Sequence, residues 1–132
     1  MRILNTTNMR YITLATKVAT HLEIQDEAID LSFETESETG SDYGYCDGNT
    51  EFADITIYRK VFGEKAEVEE ICRTIIHELV HAKQFLEGRL TLEGGARTWL
   101  GESYDGDINS APWELEASKL EDELYPIFEQ AN

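Results

Sequence analysis

The segment His77-Glu78-Leu79-Val80-His81 has the residue types and the spacing of a metal-dependent hydrolytic site. Two histidines four residues apart on a helix lie on one side, one turn apart, where both imidazoles can bind a single zinc ion. Glu78 is about 100° around the helix from His77, so its carboxylate can reach a zinc-activated water without being a ligand. The pattern predicts zinc ligands at His77 and His81 and a general base at Glu78.

The apolar stripe of the surrounding helix lies away from the two histidines. Helical periodicity extends over residues 65–86, and the stripe consists of Val68, Ile71, Cys72, Ile75, Leu79 and Leu86. At about 100° per residue, His77 and His81 fall roughly opposite this stripe and share their face with Glu70 and Thr74. This placement favours a site that faces a cleft, although an exposed helix surface has the same pattern.

A third ligand must come from elsewhere in the chain, because a catalytic zinc ion usually has three protein ligands and one open position. His21 is the only other histidine, and its position at the end of a predicted helix favours a solvent-facing or capping role. Glu114 and Glu116 begin a later helix and flank its apolar stripe on opposite sides, so periodicity does not choose between them. Both also have an ordinary explanation as acidic residues that stabilise a helix N-terminus.

Short strands and one further helix are predicted before the histidine-bearing helix. Apolar residues at helical spacing predict a first helix over residues 8–22. Alternating apolar and polar residues predict strands over 28–33 and 51–59. Glycine, serine and aspartate between them predict a surface loop over 35–49.

After the histidine-bearing helix, the sequence predicts a hairpin over residues 89–104 around a glycine turn. A last helix begins at Pro112, runs to about Tyr125 and is ended by Pro126. The order of these elements predicts an α+β fold. No internal repeat or linker divides the chain, so we expect a single domain over residues 1–132.

The composition is that of a folded, acidic chain. Its 132 residues, 41% of them hydrophobic, suit one modest core. Eleven Lys and Arg against 27 Asp and Glu give a net charge of −16, which disfavours binding to nucleic acids and anionic membranes. Cys46 and Cys72 lie far apart and predict free thiols in a reducing compartment. No apolar run reaches the roughly 18 residues of a membrane span, and the first residues lack a secretory pattern, so we expect a cytoplasmic location.

Taken with the later acidic helix, the chain resembles the gluzincin class of zinc metallopeptidases. The resemblance rests on the H-E-x-x-H segment 77–81 and on a helical Glu-x-x-Ala over residues 114–117. In that class the glutamate three residues before the alanine is the third zinc ligand, which implies Glu114 rather than Glu116. Such families often have Asp or Asn after the alanine, where this chain has Ser118. The residue that would contact a zinc-binding histidine is therefore not identified by the resemblance.

Residues 99–104 and 112–117 are also similar to small phage and bacterial metallopeptidases of the minimal zincin type. This similarity covers roughly residues 77–117. It implies a minimal zincin-like fold, in which a small mixed or antiparallel sheet packs against the H-E-x-x-H helix and a C-terminal helix bears the ligand glutamate. The strand that contains Ile55 and Ile57 would then lie beside the active helix, and its open edge would hold an extended peptide.

These inferences predict zinc-dependent hydrolysis of bonds in a peptide or protein substrate. Zinc held by the two histidines and Glu114 would polarise the carbonyl group and lower the pKa of a water molecule. Glu78 would take the proton of that water and return it to the leaving amine. Tyr104 and Arg97 are candidate donors to the oxyanion. Packing and surface roles are the more ordinary ones for these two residues, and neither is placed in the catalytic set.

Two alternatives belong to other classes of protein. An acidic binding module would mimic nucleic acid or inhibit a basic partner, would bind no tight zinc, and would keep its function when Glu78 becomes Gln. A structural zinc protein is disfavoured, because such sites normally close all four positions with Cys and His. Cys46 in a loop could bind the metal as an inhibitory thiolate, but no such switch is predicted.

Overall fold

The computed structural model describes residues 1–129 and has an α+β architecture, as the sequence predicts. Its helices and strands, in chain order, are β1 (Arg2–Leu4), α1 (Met9–His21), β2 (Ile29–Glu34), β3 (Gly44–Gly48), β4 (Ala53–Tyr58), β5 (Lys60–Val61), β6 (Glu64–Lys65), α2 (Val68–Leu86), β7 (Leu90–Glu93), β8 (Ala96–Trp99), β9 (Glu102–Ser103), a 3₁₀ turn (Ile108–Ser110) and α3 (Pro112–Glu129).

A four-stranded mixed sheet forms one layer of the fold. Its strand order is β1-β2-β4-β3, with β1, β2 and β4 parallel and β3 antiparallel to β4. The alternation predicted for the two long strands is confirmed, because one face of each is buried and contributes Ile29, Leu31, Phe33, Ala53, Ile55 and Ile57 to the core. Three-residue β1 is too short for its sequence to show a period.

Strand β3 lies where the sequence predicts a loop. Only Cys46 of its five residues is buried, and two of the others are glycines, so the apolar alternation that marks a strand is missing. Backbone pairing with β4 holds the segment extended. The prediction of a loop over residues 35–49 is therefore wrong at 44–48. The predicted open edge on the strand of Ile55 and Ile57 is also wrong, because β3 covers that edge and is itself the edge strand.

Helix α2 is the central element, because other elements cover most of its circumference. It packs against β3 and β4 on one side and against α1 and α3 on the others. The predicted apolar stripe is largely buried, except that Val68 in the first turn is 41% exposed. Ile76 and Val80, which lie outside this stripe, are also buried. The histidine face of α2 therefore lies against protein and not against open solvent.

The C-terminal third contains two differences from the prediction. The hairpin of β7 and β8 is confirmed, and β9 adds a third antiparallel strand to it. Helix α3 continues through Pro126 to Glu129, so the prediction that proline ends it is wrong. Pro126 has no N–H group to donate to the carbonyl of Asp122, the usual partner four residues earlier. Asp122 and Pro126 are both exposed residues, so water can replace the missing hydrogen bond.

Buried apolar side chains from the three helices and the four-stranded sheet form one hydrophobic cluster. No helix within residues 1–129 combines the length and the apolar character needed to cross a membrane.

Candidate metal centre

His77, His81 and Glu114 form a compact group between α2 and α3. The centroids of the two imidazole rings are 4.8 Å apart, as expected for neighbouring turns of one helix. Glu114 lies in the first turn of α3, and its two oxygens reach one nitrogen each: Oε1 is 3.0 Å from His77 Nε2 and Oε2 is 3.2 Å from His81 Nε2. The three candidate ligand atoms all lie within 4.8 Å of one another.

The donor set of this group fits a divalent metal ion. Two imidazole nitrogens and one carboxylate are a ligand set found at catalytic zinc sites. Donors about 2.1 Å from a tetrahedral zinc ion are about 3.4 Å from each other, close to the Glu114-to-histidine distances. The sequence predicts these three residues as ligands, and the structure brings them together.

Helix α3 is anchored so that Glu114 faces α2. Trp113, next to it, is 1% exposed, and Ala117 one turn later is fully buried, so this side of α3 is packed into the core. Gln84 of α2 donates a hydrogen bond of 3.0 Å to the backbone carbonyl of Trp113. The start of α3 is therefore tied to the histidine-bearing helix at one defined point.

Each histidine has a second partner that orients its ring. The Nδ1 atom of His77 is 3.1 Å from Glu121 Oε1, and the Nδ1 atom of His81 is 2.8 Å from Gln84 Oε1. These bonds leave the Nε2 atoms to face Glu114, and such outer partners fix the ring of a metal-binding histidine. Glu121 lies two helical turns after Glu114 and is the α3 residue that contacts the Nδ1 atom of His77. The resemblance had offered only Ser118 at the position where such a histidine partner is often found.

Glu116 is directed elsewhere. Its carboxylate accepts hydrogen bonds from Arg89 at 3.0 and 2.9 Å and from Gln84 at 3.0 Å. Burial opposes ionisation, but these hydrogen bonds outweigh it and lower the pKa of Glu116. Of the two glutamates that periodicity could not separate, only Glu114 contacts the histidines.

Glu78 is an almost buried carboxylate without a hydrogen-bond donor. The residue is 8% exposed, and no group within residues 1–129 donates a hydrogen bond to its side chain. Burial raises the pKa of Glu78, against the opposing effect of the nearby histidines. An unpaired carboxylate beside two histidines is well placed to exchange protons with a bound molecule.

Without a metal ion, His77 holds a proton between Glu114 and Glu121 and supplies the positive charge that a metal would otherwise bring. Burial lowers the pKa of His77, but hydrogen bonds to Glu114 and Glu121 outweigh it and raise the pKa to about 10. Burial likewise opposes ionisation of Glu114, yet its bonds to His77 and His81 hold the pKa of this carboxyl well below its usual range. The site therefore favours a positive charge between its carboxylates.

Two cavities flank Glu78. The first, of about 400 Å³, extends along the first half of α2 toward Glu70 and Glu121. The second, of about 210 Å³, extends toward Trp113 and Arg97. Gly44 of β3, His77 and Glu78 line both cavities, so an elongated molecule that passed from one to the other would cross the candidate reaction centre.

Tyr104 and His21, two candidates from the sequence, lie outside the group formed by His77, His81 and Glu114. Tyr104 donates a hydrogen bond of 2.7 Å to the carbonyl of Asp107 and packs edge-on against Trp113, which is the ordinary packing role. His21 is exposed at the end of α1, where its ring contacts Phe128. Arg97, by contrast, lines the second cavity.

The two cysteines are free thiols, as expected, and both are buried. Cys46 lines the second cavity, and its pKa is raised well above the usual range by burial and by the charge of Glu78. Cys72 lies in the core, where burial raises its pKa to about 11. Neither thiol therefore ionises readily near neutral pH.

Comparisons of this chain with protein-family models, with curated proteins and with solved structures found no match.

Proposed function

We propose that this protein is a zinc metallopeptidase of the minimal zincin type, with His77, His81 and Glu114 as the metal ligands. One observation carries the proposal: a single carboxylate from α3 contacts both histidines of the H-E-x-x-H segment, while Glu78 beside them accepts no hydrogen bond from any group within residues 1–129. Zinc is the metal that best suits two imidazoles and one carboxylate with a position left open.

When bound, zinc supplies a Lewis acid that polarises a carbonyl group and lowers the pKa of a water molecule. Glu78 accepts the proton of the attacking water as its oxygen adds to the peptide carbonyl carbon. The same carboxyl returns that proton to the amide nitrogen when the C–N bond breaks. Burial, which raises the pKa of Glu78, makes its carboxylate a stronger base in the first step and lets the carboxyl hold the proton until the second.

The edge strand β3 supports a peptide substrate. No strand within residues 1–129 pairs with its outer edge, and residues of β3 line both cavities beside Glu78. An extended peptide that paired with this edge would lie along the cavities with its backbone next to Gly44 and Glu78. This replaces the expectation that the strand of Ile55 and Ile57 receives the peptide.

Glu78→Gln tests the proposal most selectively. The substitution keeps the size of the side chain and removes its basic oxygen, so we expect the variant to retain zinc. We expect its hydrolysis of a mixed peptide library to fall by at least about a hundredfold, as general base catalysis contributes about 10²–10⁴-fold. Glu123→Gln, an exposed change on α3, is the matched control. A zinc-loaded Glu78→Gln protein that cleaves peptides as fast as the wild type would contradict the mechanism.

A further inference from the structure

The larger cavity beside Glu78 has an excess of negative charge. Glu70, Glu78 and Glu121 line it, and Arg73 is the one Lys or Arg side chain of the described chain that does so. The cavity adjoins the candidate reaction centre through His77 and Glu78, so its charge acts on whatever occupies the site.

Arg73 does not neutralise this excess, because its guanidinium is already shared. It pairs with Glu69 at 3.3 Å, with Glu121 at 3.1 Å and with Asp122 at 2.9 Å. Glu121 is also bound to His77, so both of its oxygens are engaged. The charge of Arg73 is therefore more than balanced by carboxylates that belong to the α2–α3 contact.

Glu70 and Glu78 are the carboxylates that remain available. No cation within residues 1–129 pairs with Glu70, whose partner is the hydroxyl group of Tyr43. Glu78 is 8% exposed, accepts no hydrogen bond from the described part of the chain and lines the cavity. A nearly buried, unpartnered carboxylate is unfavourable unless a ligand supplies a donor or a positive charge.

The second cavity has a different chemistry. Phe85, Leu90 and Trp113 line one part of it. Glu78, Glu114 and the two histidines line another part, and its one Lys or Arg side chain among the described residues is Arg97. It is also smaller, at about 210 Å³. The two sides of the reaction centre therefore differ in charge: among the described residues, Glu70, which no Lys or Arg pairs with, lines the first cavity, and the cation Arg97 lines the second.

We propose that the cavity lined by Tyr43, Glu70 and Glu121 binds the lysine or arginine side chain of the substrate residue next to the cleaved bond. The inference rests on the proposed peptidase function and adds its substrate class. The aliphatic stem of such a side chain would pack on Tyr43 and Thr74, and its charged end would meet Glu70. Glu70 is the specificity-determining residue in this account.

A binding experiment tests this inference separately from catalysis. The zinc-loaded Glu78→Gln protein would be titrated with acetylated, amidated alanine hexapeptides that carry one lysine or one norleucine at each position in turn. We expect the best lysine peptide to bind about tenfold or more tightly than its norleucine counterpart, close to the lower limit for a charge-assisted hydrogen bond. Adding Glu70→Gln should bring this ratio close to one, whereas adding Glu123→Gln should leave it unchanged.

Equal affinity for the two peptide series, or a lysine preference that survives Glu70→Gln, would overturn the inference. Cleavage by the wild-type protein is read separately. Hydrolysis without enrichment of Lys or Arg beside the cleaved bonds would reject the specificity and leave the peptidase proposal intact. A Glu70-dependent lysine preference without any hydrolysis by the zinc-loaded wild type would support the cation cavity and count against the peptidase.

Discussion

Glu114 places its two oxygens against two histidine nitrogens, while the opposite nitrogens of both rings are held by Glu121 and Gln84. The rings are therefore oriented before any metal binds. This orientation matters because ordering a mobile side chain costs conformational entropy, which would weaken the binding of a metal ion.

Glu121→Ala should weaken zinc binding without removing a proposed ligand. The substitution frees the Nδ1 side of His77, so we expect the dissociation constant to rise by about tenfold or more. Competition with a chromophoric zinc chelator measures the change. Glu123→Ala, two residues away and exposed, should bind zinc like the wild type. Unchanged zinc affinity in Glu121→Ala would show that this hydrogen bond does not position His77.

The metal-free protein should lose stability as pH rises. The folded-state pKa of His77 is about 10 against an ordinary value of 6.5, so its stabilising effect is full below pH 6.5 and is lost as pH rises through 10. Urea unfolding of chelator-treated protein between these pH values measures the decline. We expect the decline to be reduced in His77→Gln and kept in His21→Gln. Equal pH dependence in the wild type and His77→Gln would exclude the His77 ion pair as its source.

At this scale the sequence predicted the inner residues of the site but not their partners. His77, Glu78 and His81 follow from spacing within one helix, and the resemblance selected Glu114. Glu121 and Gln84 are polar residues that many helices carry, and nothing in their local pattern shows which partner they meet. Their roles depend on how α3 packs against α2, which is a tertiary property.

Among the elements, β3 does most to shape the site, and Gly44 sets how closely it approaches α2. A Cβ atom at Gly44 would lie 2.6 Å from Thr74 Cγ2, 3.1 Å from the Thr56 carbonyl oxygen and 3.2 Å from Glu78 Cγ. A side chain there would press on the proposed base itself. Gly44 does not have a positive φ angle. Glycine is therefore needed here for the close approach of β3 to α2 and not for an unusual backbone conformation.

Gly44→Ala should therefore destabilise the protein and disturb Glu78. We expect a loss of about 1–3 kcal/mol in the free energy of unfolding, as for other overpacked sites, together with slower peptide hydrolysis. Thr74→Ser removes the nearest clashing methyl and keeps the hydroxyl that bonds to the Glu70 carbonyl. The double variant should recover part of the lost stability in urea unfolding. No loss in Gly44→Ala would mean that β3 can move away from α2 at little cost.

The elements that the sequence predicted are those whose own residues determine them. Helix α1 and strands β2 and β4 each bury one regular stripe or face, and α2 buries most of its predicted stripe together with residues on other sides. Strand β3 is extended because β4 pairs with it, so its composition could not predict it. Pro126 is tolerated in α3 because the hydrogen bond that it cannot make would go to Asp122, an exposed residue. The sequence pattern near Pro126 did not show that this side of the helix is exposed.

For the whole molecule, the net charge of −16 opposes compaction through self-repulsion. Raising the salt concentration should therefore stabilise the protein, because screening becomes stronger as the Debye length falls from about 30 Å at 0.01 M to about 10 Å at 0.1 M. Thermal unfolding in sodium chloride between these concentrations measures the effect, and the midpoint should rise. A midpoint that falls would show that favourable ion pairs, such as those of Arg73 and Arg89, outweigh the repulsion.

The zinc content of the purified protein tests the central claim most directly. Elemental analysis would compare the wild type with His81→Ala, Glu114→Gln and Glu116→Gln, all prepared identically. We predict about one zinc ion per chain in the wild type, as at other catalytic zinc sites with three protein ligands. We expect loss of zinc in His81→Ala, weaker retention in Glu114→Gln and full retention in Glu116→Gln. If the wild type binds no zinc even when supplied with it, the metallopeptidase proposal is wrong and an acidic binding module becomes the better account.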